Sequence, residues 1–156
     1  MPSRRDLIRM SDDEIREYLE GRHHLTLVTN GPGGMPHPVP MEYGLDVDGS
    51  IVLTSFRKGQ KILNLERDPR AALLFDSGTQ YQDLKGVIAY CHAEIIQDPE
   101  TVVKVMRLVR PSDDLTASMS AEMSAQVRAS ALKRVAIRFK PFRFVTWDHG
   151  KLPGVY

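Results

Sequence analysis

Three basic side chains, Arg57, Lys58 and Lys61, stand between an apolar run, Ile51-Val52-Leu53, and a segment with helical spacing of Ile62, Leu63 and Leu65. Gly59 turns the chain between them. A strand that ends in a basic turn and enters a helix offers free backbone N–H groups, the positive end of the helix dipole and cationic side chains to one anion. The chemistry is therefore binding of phosphate or another small anion. A solvated basic patch is the competing reading of the charge alone, and the Gly-rich signatures of the P-loop and of the dinucleotide fingerprint are absent. The order of the parts favours the anion.

The remaining reactive residue types form no constellation. His23 and His24 are adjacent rather than ligand-spaced, and His37, His92 and His149 fall on separate elements without a carboxylate motif, so no metal site is expected. No serine elbow or paired carboxylates stand out, and no catalytic side chain is assigned. The single cysteine, Cys91, has no disulfide partner and sits among strand-like neighbours, which makes it a small core residue. A chain with an anion site and no acid, base or nucleophile in evidence points to a bound cofactor that carries the reactivity.

The elements that must position this site read as follows. Ser11 with Glu14 forms a capping box that opens a short amphipathic helix bearing Ile15, Tyr18 and Leu19 and ending at Gly21. Strands are expected over Leu25–Thr29, Met35–Leu45, Ser50–Ser55, Ala71–Phe75 and Gly86–Ile96, with turns at Asn30–Gly34 and Asp46–Gly49. Pro36, Pro38 and Pro40 alternate along the second strand and cannot donate ladder hydrogen bonds, so one of its sides must lack a paired neighbour there. Either it is a simple edge strand or it leaves its carbonyls and the Val39 and Met41 side chains to a flat ligand. Asp76–Asp83 reads as a loop. Asp98-Pro99 starts a helix whose stripe is Val102, Val103, Val105, Met106 and Leu108, with Pro111 as its stop. A second helical stretch runs through Met119, Met123 and Val127, where methionines read as core or interface filler. Val135–Phe139 and Phe142–Trp147 finish the chain as two strands interrupted at Lys140-Pro141. Trp147 either flanks an aromatic ring or packs in the core.

The sum is a mainly β fold: a small antiparallel barrel of six or seven strands with peripheral helices, in one domain over residues 1–156. The 156 residues include 42% apolar and 26% charged side chains, ordinary for a globular chain. With 21 basic against 20 acidic residues the formal charge is +1, so no global field recruits nucleic acid or a membrane. No apolar run reaches membrane-spanning length and none follows the N-terminal residues, and the expectation is a cytoplasmic protein.

Four stretches, in order, are Asn30-Gly31 to Met41, Thr54 through Leu65 with Asp68-Pro69-Arg70, Leu84-Lys85-Gly86-Val87 with Ala93-Glu94-Ile95, and Thr146 to Leu152. Together they resemble the pyridoxamine 5'-phosphate oxidase-like superfamily, and within it the flavin/deazaflavin oxidoreductases. The resemblance implies an FMN-binding-like split β-barrel, a homodimer with a cofactor groove at the interface, and hydride transfer between reduced coenzyme F420 and a small conjugated substrate. It implies that Lys61 contacts the cofactor phosphate with Arg57, Lys58 and Gln60 beside it. His37, Pro38, Val39, Pro40 and Met41 would run along the ring system, with Thr54 and Ser55 next to it and Trp147 bordering the pocket. FMN is the alternative cofactor. A non-catalytic cofactor- or haem-binding protein, with His37 or His92 as haem ligand, is the alternative of another class. The arginine/histidine substrate motif of true pyridoxamine-phosphate oxidases is missing from Trp147-Asp148-His149-Gly150-Lys151, so pyridoxal phosphate synthesis is not implied.

Overall fold

A computed structural model describes residues 3–110 and 121–154. Seven strands form one antiparallel sheet: β1 (His24–Asn30), β2 (Pro36–Glu42), β3 (Gly44–Leu45), β4 (Ile51–Phe56), β5 (Arg70–Ser77), β6 (Lys85–Ile96) and β7 (Arg134–Asp148). Their spatial order is β2-β1-β5-β6-β7-β4-β3. Only Tyr43 separates β2 from β3, yet they occupy opposite ends of that order, so the sheet must curl until its edges meet. The result is a barrel joined at Tyr43 and split between β2 and β4, as the strand pattern predicts.

Period-2 alternation builds the core. Leu27, Leu53, Leu73, Phe75, Val87, Ile137 and Phe139 all turn inward and are fully buried. Tyr43 meets Phe75 edge-on at 5.0 Å between ring centroids and donates its hydroxyl to the Leu19 carbonyl. Helix α3 (Gln60–Arg67) adds Ile62 and Leu65 to this core, but Leu63, expected beside them, is 47% exposed. Helical spacing permits only part of an apolar triplet to face one way. A second apolar cluster, Val52, Val102, Val105, Ala131 and Ala136, lies under α4 (Pro99–Val109) and α5 (Ala121–Ala131). The Asp98 cap accepts from Thr101 N–H at 2.9 Å as its sequence predicts. Met119, Pro111, the connector Ser112–Thr116 and the Met123 side chain lie outside the described residues.

Three strand boundaries differ from expectation. The last two strands are one, because a register shift opposite Pro141, between Tyr90 and Cys91, absorbs the missing donor as a bulge. The long second strand divides at Tyr43 where the barrel closes. Strand β5 continues to Ser77 because it pairs with Lys85, which shortens the loop to a 3-10 turn at Tyr81–Asp83. A short helix α1 (Arg4–Leu7), capped by Ser3 with Asp6, was not expected.

Helix α2 (Asp12–Glu20) carries the predicted capping box, Glu14 accepting from Ser11 N–H at 2.6 Å. The same carboxylate accepts from Lys151 Nζ at 2.6 Å, tying the helix to the C-terminal segment. The Lys151 ammonium and then the Ser11 backbone hold Glu14 from its ordinary value of 4.5 down to about 2. A depressed carboxylate contributes stability above its unfolded pKa and loses it as pH falls through the folded one. Thermal unfolding of Glu14→Gln against the parent from pH 7 to pH 2 therefore shows a Tm deficit that is constant above about 5 and closes below it. A gap independent of pH would exclude the ionised contact as its source.

Candidate cofactor site

The basic turn folds into a cradle. Helix α3 begins at Gly59 without a side-chain cap, and the Gly59 carbonyl already accepts from Ile62 and Leu63 N–H at 2.9 and 3.2 Å. The Gln60 and Lys61 N–H groups have no partner among the described residues and point out of the helix end. Gly59 has φ −68, so its role is space rather than conformation. A Cβ there would sit 3.6 Å from both Lys61 Nζ and Ser55 Oγ and 3.2 Å from the Phe56 carbonyl oxygen. Lys61 and Ser55 thus converge over the bare floor that glycine leaves.

Lys61 is half-buried, and among the described residues it has neither an acidic nor a hydrogen-bonding partner. Desolvation alone lowers its pKa. A partly buried ammonium without a counter-ion is costly, and an anion in the cradle would relieve it. Charge, uncapped helix N-terminus and glycine floor together fit a phosphate group. Arg57 is exposed and donates to Gln97 Oε1 at 3.2 Å, and Lys58 is exposed. Gln60 turns back, its amide donating to Asn64 Oδ1 at 2.8 Å. Asn64 is fully buried and donates to Thr29 Oγ1 at 3.0 Å, which pins α3 to β1. This network has no sequence signal beyond an asparagine on the apolar face of a helix.

The proline strand supplies the second wall. Gly31 N–H donates to the Met35 carbonyl at 2.9 Å and Tyr43 N–H to the His23 carbonyl at 3.2 Å, one bond at each end of the β1-β2 ladder. These bonds fix its phase: Thr29↔His37, Leu27↔Val39 and Leu25↔Met41 are the hydrogen-bonded pairs. Pro36, Pro38 and Pro40 occupy the alternate positions, so their carbonyls point away from β1 into the split and no N–H stands between them. The edge reading is correct, and the acceptors are available. Val39 and Met41, considered above as contacts for a flat ligand, pack partly buried against the core, and Met41 also lines the cavity beside the split. His37 Nδ1 is buried with no partner among the described residues. His92 lies on β6, its ring 4.8 Å from that of Phe142, so the two histidines do not share an element.

Beside the split, a cavity of about 460 Å³ lies between the barrel and helices α4 and α5. Pro40, Met41 and Thr54 form its barrel side and Met106, Val109 and Val127 its helical side. Arg134, at the start of β7, reaches into its wall. Its guanidinium carbon lies 4.2 Å over the Phe56 ring and its Nε donates to Ser130 Oγ at 3.3 Å.

A sequence profile describing pyridoxamine 5'-phosphate oxidase matches residues 11–148. The chain belongs to the pyridoxamine 5'-phosphate oxidase family. Its split barrel resembles that of the conserved hypothetical protein Rv2991 from Mycobacterium tuberculosis, with 35% identity over 99% of this chain and 96% of that one at a TM-score of 0.82. A FAD-binding protein from Mesorhizobium loti shares 20% identity over 90% and 96% of the two chains, TM-score 0.66. A protein named F420 reductase shares 22% over 83% and 94%, TM-score 0.62. These last two likenesses establish the fold. No curated protein matches the chain significantly.

The structure also sets Trp147 apart from the Lys61 cradle. Trp147 pairs with Gly86 near the end of β7, whereas Ser55 pairs with Val135 near its beginning. Within one copy of this oxidase-family chain Trp147 therefore does not border the Lys61 cradle. It lies on the outer face of the barrel in the same rows as Ile88 and Val145.

Proposed function

We propose that this chain is an oxidoreductase that binds coenzyme F420 and transfers hydride between it and a small conjugated substrate. The observation that carries the reading is the partnerless, half-buried Lys61 over the Gly59 floor at an uncapped helix start. The fold-level likeness to proteins named F420 reductase and FAD-binding protein supports a flavin-type ring beside that phosphate site. The bound group supplies the hydride chemistry. The chain's own residues would orient it: Lys61, Ser55 and the α3 N–H groups would hold its phosphate, and the outward carbonyls of Pro36, Pro38 and Pro40 would be acceptors for its N–H donors. The apolar side chains of the cavity, Met106, Val109 and Val127, would cover part of the reacting face. Arg57 and Lys58 add field rather than contact. FMN presents phosphate to the same cradle and is the second cofactor under test.

Titrating cofactor-free protein separately with F420 and with FMN, and following quenching of Trp147 fluorescence, separates them. Saturation by F420 at much lower concentration is the expected result. Preference for FMN replaces the cofactor, and equilibrium dialysis showing no binding of either removes the reading.

The protein is proposed to work as a homodimer in the cytoplasm. The outer face of β1, β5, β6 and β7 carries half-buried Val28, Ala72, Leu74, Ile88, Tyr90 and Val145, with no helix packed over it among the described residues. A second copy on this face would bring its own Trp147 to the first copy's groove. Light scattering is expected at twice the chain mass of 17.6 kDa, and Ile88→Asp shifts it to the monomer. A monomeric parent would leave Trp147 outside the site.

A further inference from the structure

The cavity under α4 and α5 has a wall that the cofactor does not use. Its lining is mixed: Met106, Val109 and Val127 form an apolar stretch beside Thr54, Gln126 and Ser130, with the rim pair Arg110 and Glu42, joined at 2.8 Å, and the guanidinium of Arg134. Arg134 is half-buried, stacked on Phe56 and held through Nε by Ser130, so its position is fixed by two contacts of different kinds. Its remaining N–H donors meet no carboxylate among the described residues, and the cavity's acidic lining residue, Glu42, is engaged by Arg110. A guanidinium placed with a free bidentate edge is complementary to a planar anion such as a carboxylate. The cavity is of the size that takes a small organic ligand.

From these observations we infer that the α4–α5 cavity binds an organic carboxylate, its apolar body against Met106, Val109 and Val127 and its carboxylate on Arg134. This rests on the proposed function in one respect: Pro40 and Thr54, which that reading puts beside the ring, also line the cavity, so the acid bound there is the acceptor, its conjugated carbon–carbon double bond taking hydride from the reduced cofactor at the β-carbon and a proton from solvent at the α-carbon. The substrate class is thus a conjugated carboxylic acid rather than a neutral quinone or nitro compound. Arg134 is a binding residue for that acceptor and lies on the opposite face of β4 from Ser55, in the row of Thr54 and Phe56.

The test uses binding, without turnover. Cofactor-free protein is titrated calorimetrically with trans-cinnamate and with its neutral twin cinnamamide, in the parent, Arg134→Gln and Arg134→Lys. Cinnamate is expected to bind roughly tenfold or more tightly than cinnamamide, the scale of a charge-assisted hydrogen bond. Arg134→Gln abolishes the difference, and Arg134→Lys, which keeps charge but not the flat edge, retains part of it. Unfolding curves confirm that each variant is folded, and the lysine variant serves if the glutamine one is not. Equal affinities for the two probes, binding of neither, or a preference that survives in both variants overturns the inference. F420 carries carboxylates of its own, so its affinity is measured in the same variants: an unchanged value is expected, and a loss assigns Arg134 to the cofactor and overturns the acceptor site. Failure of F420 to bind the parent while the cinnamate preference stands would sink the proposed function and leave the carboxylate site in place.

Discussion

Lys61→Ala weakens binding of the phosphate-bearing cofactor by about 1.5–3 kcal/mol, the range of a hydrogen bond to a charged group. The dissociation constant then rises roughly 10- to 150-fold. The effect sits at the upper part of that range if the cradle behaves as its geometry implies, since Lys61 is half-buried and shielded from competing salt. Its sign with pH is also fixed. Burial lowers the lysine pKa in the free protein, so the ammonium is lost at a lower pH than an exposed lysine would lose it. Cofactor affinity therefore falls on the alkaline side in the parent, earlier than an ordinary lysine would dictate, and the fall disappears in Lys61→Ala. Fluorescence titrations at several pH values read both. Equal affinity in parent and variant would take Lys61 out of the site.

Gly86→Ala is the larger structural test. A Cβ at Gly86 would lie 2.2 Å from Trp147 Cζ2, 2.6 Å from Cε2 and 2.8 Å from the Phe75 carbonyl oxygen, none of which can yield without moving an indole or a strand. Overpacking of this kind costs about 1–3 kcal/mol. Differential scanning calorimetry should show a Tm lower by roughly 2–12 °C. The indole, lifted from its seat, should emit to the red of the parent. Because Trp147 lies on the proposed dimer face, Gly86→Ala also weakens dimerisation, which Lys61→Ala leaves alone. A variant with parental Tm and emission would mean that Trp147 does not rest on Gly86.

Local signals were legible in the sequence. Ser11 with Glu14 and Asp98 with Pro99 define helix starts through contacts between near neighbours, and alternation over Leu25–Thr29 separates buried from exposed faces. The proline strand could be read as an edge because a missing donor has the same meaning in any fold. What stayed hidden depends on register. Asn64 reaching Thr29, Arg134 stacked on Phe56 and Trp147 seated on Gly86 join residues far apart in the chain, and a one-residue slip would dissolve each pair. Lys140-Pro141 looked like a break because the bulge that carries β7 past it, with Phe142 as the extra residue, shows only in the register against β6. Within the site, Lys61 could be found from the order strand, turn, helix. Arg134 could not, since a basic residue before an apolar strand is common and only the packing of α5 turns it into a cavity wall.

An open barrel carries an inherent hazard: its unpaired strand is a template on which another chain can add itself and start a fibre. Strand β2 is exempt. A recruited strand would find the carbonyls of Pro36, Pro38 and Pro40 but no N–H to answer its own acceptors, and could form only half a ladder. Small molecules with donors can still use the same edge. Three absent hydrogens therefore filter what the split admits, closing it to polypeptide while leaving it open to a ligand, and replacing Pro38 and Pro40 by valine should make the protein prone to aggregation.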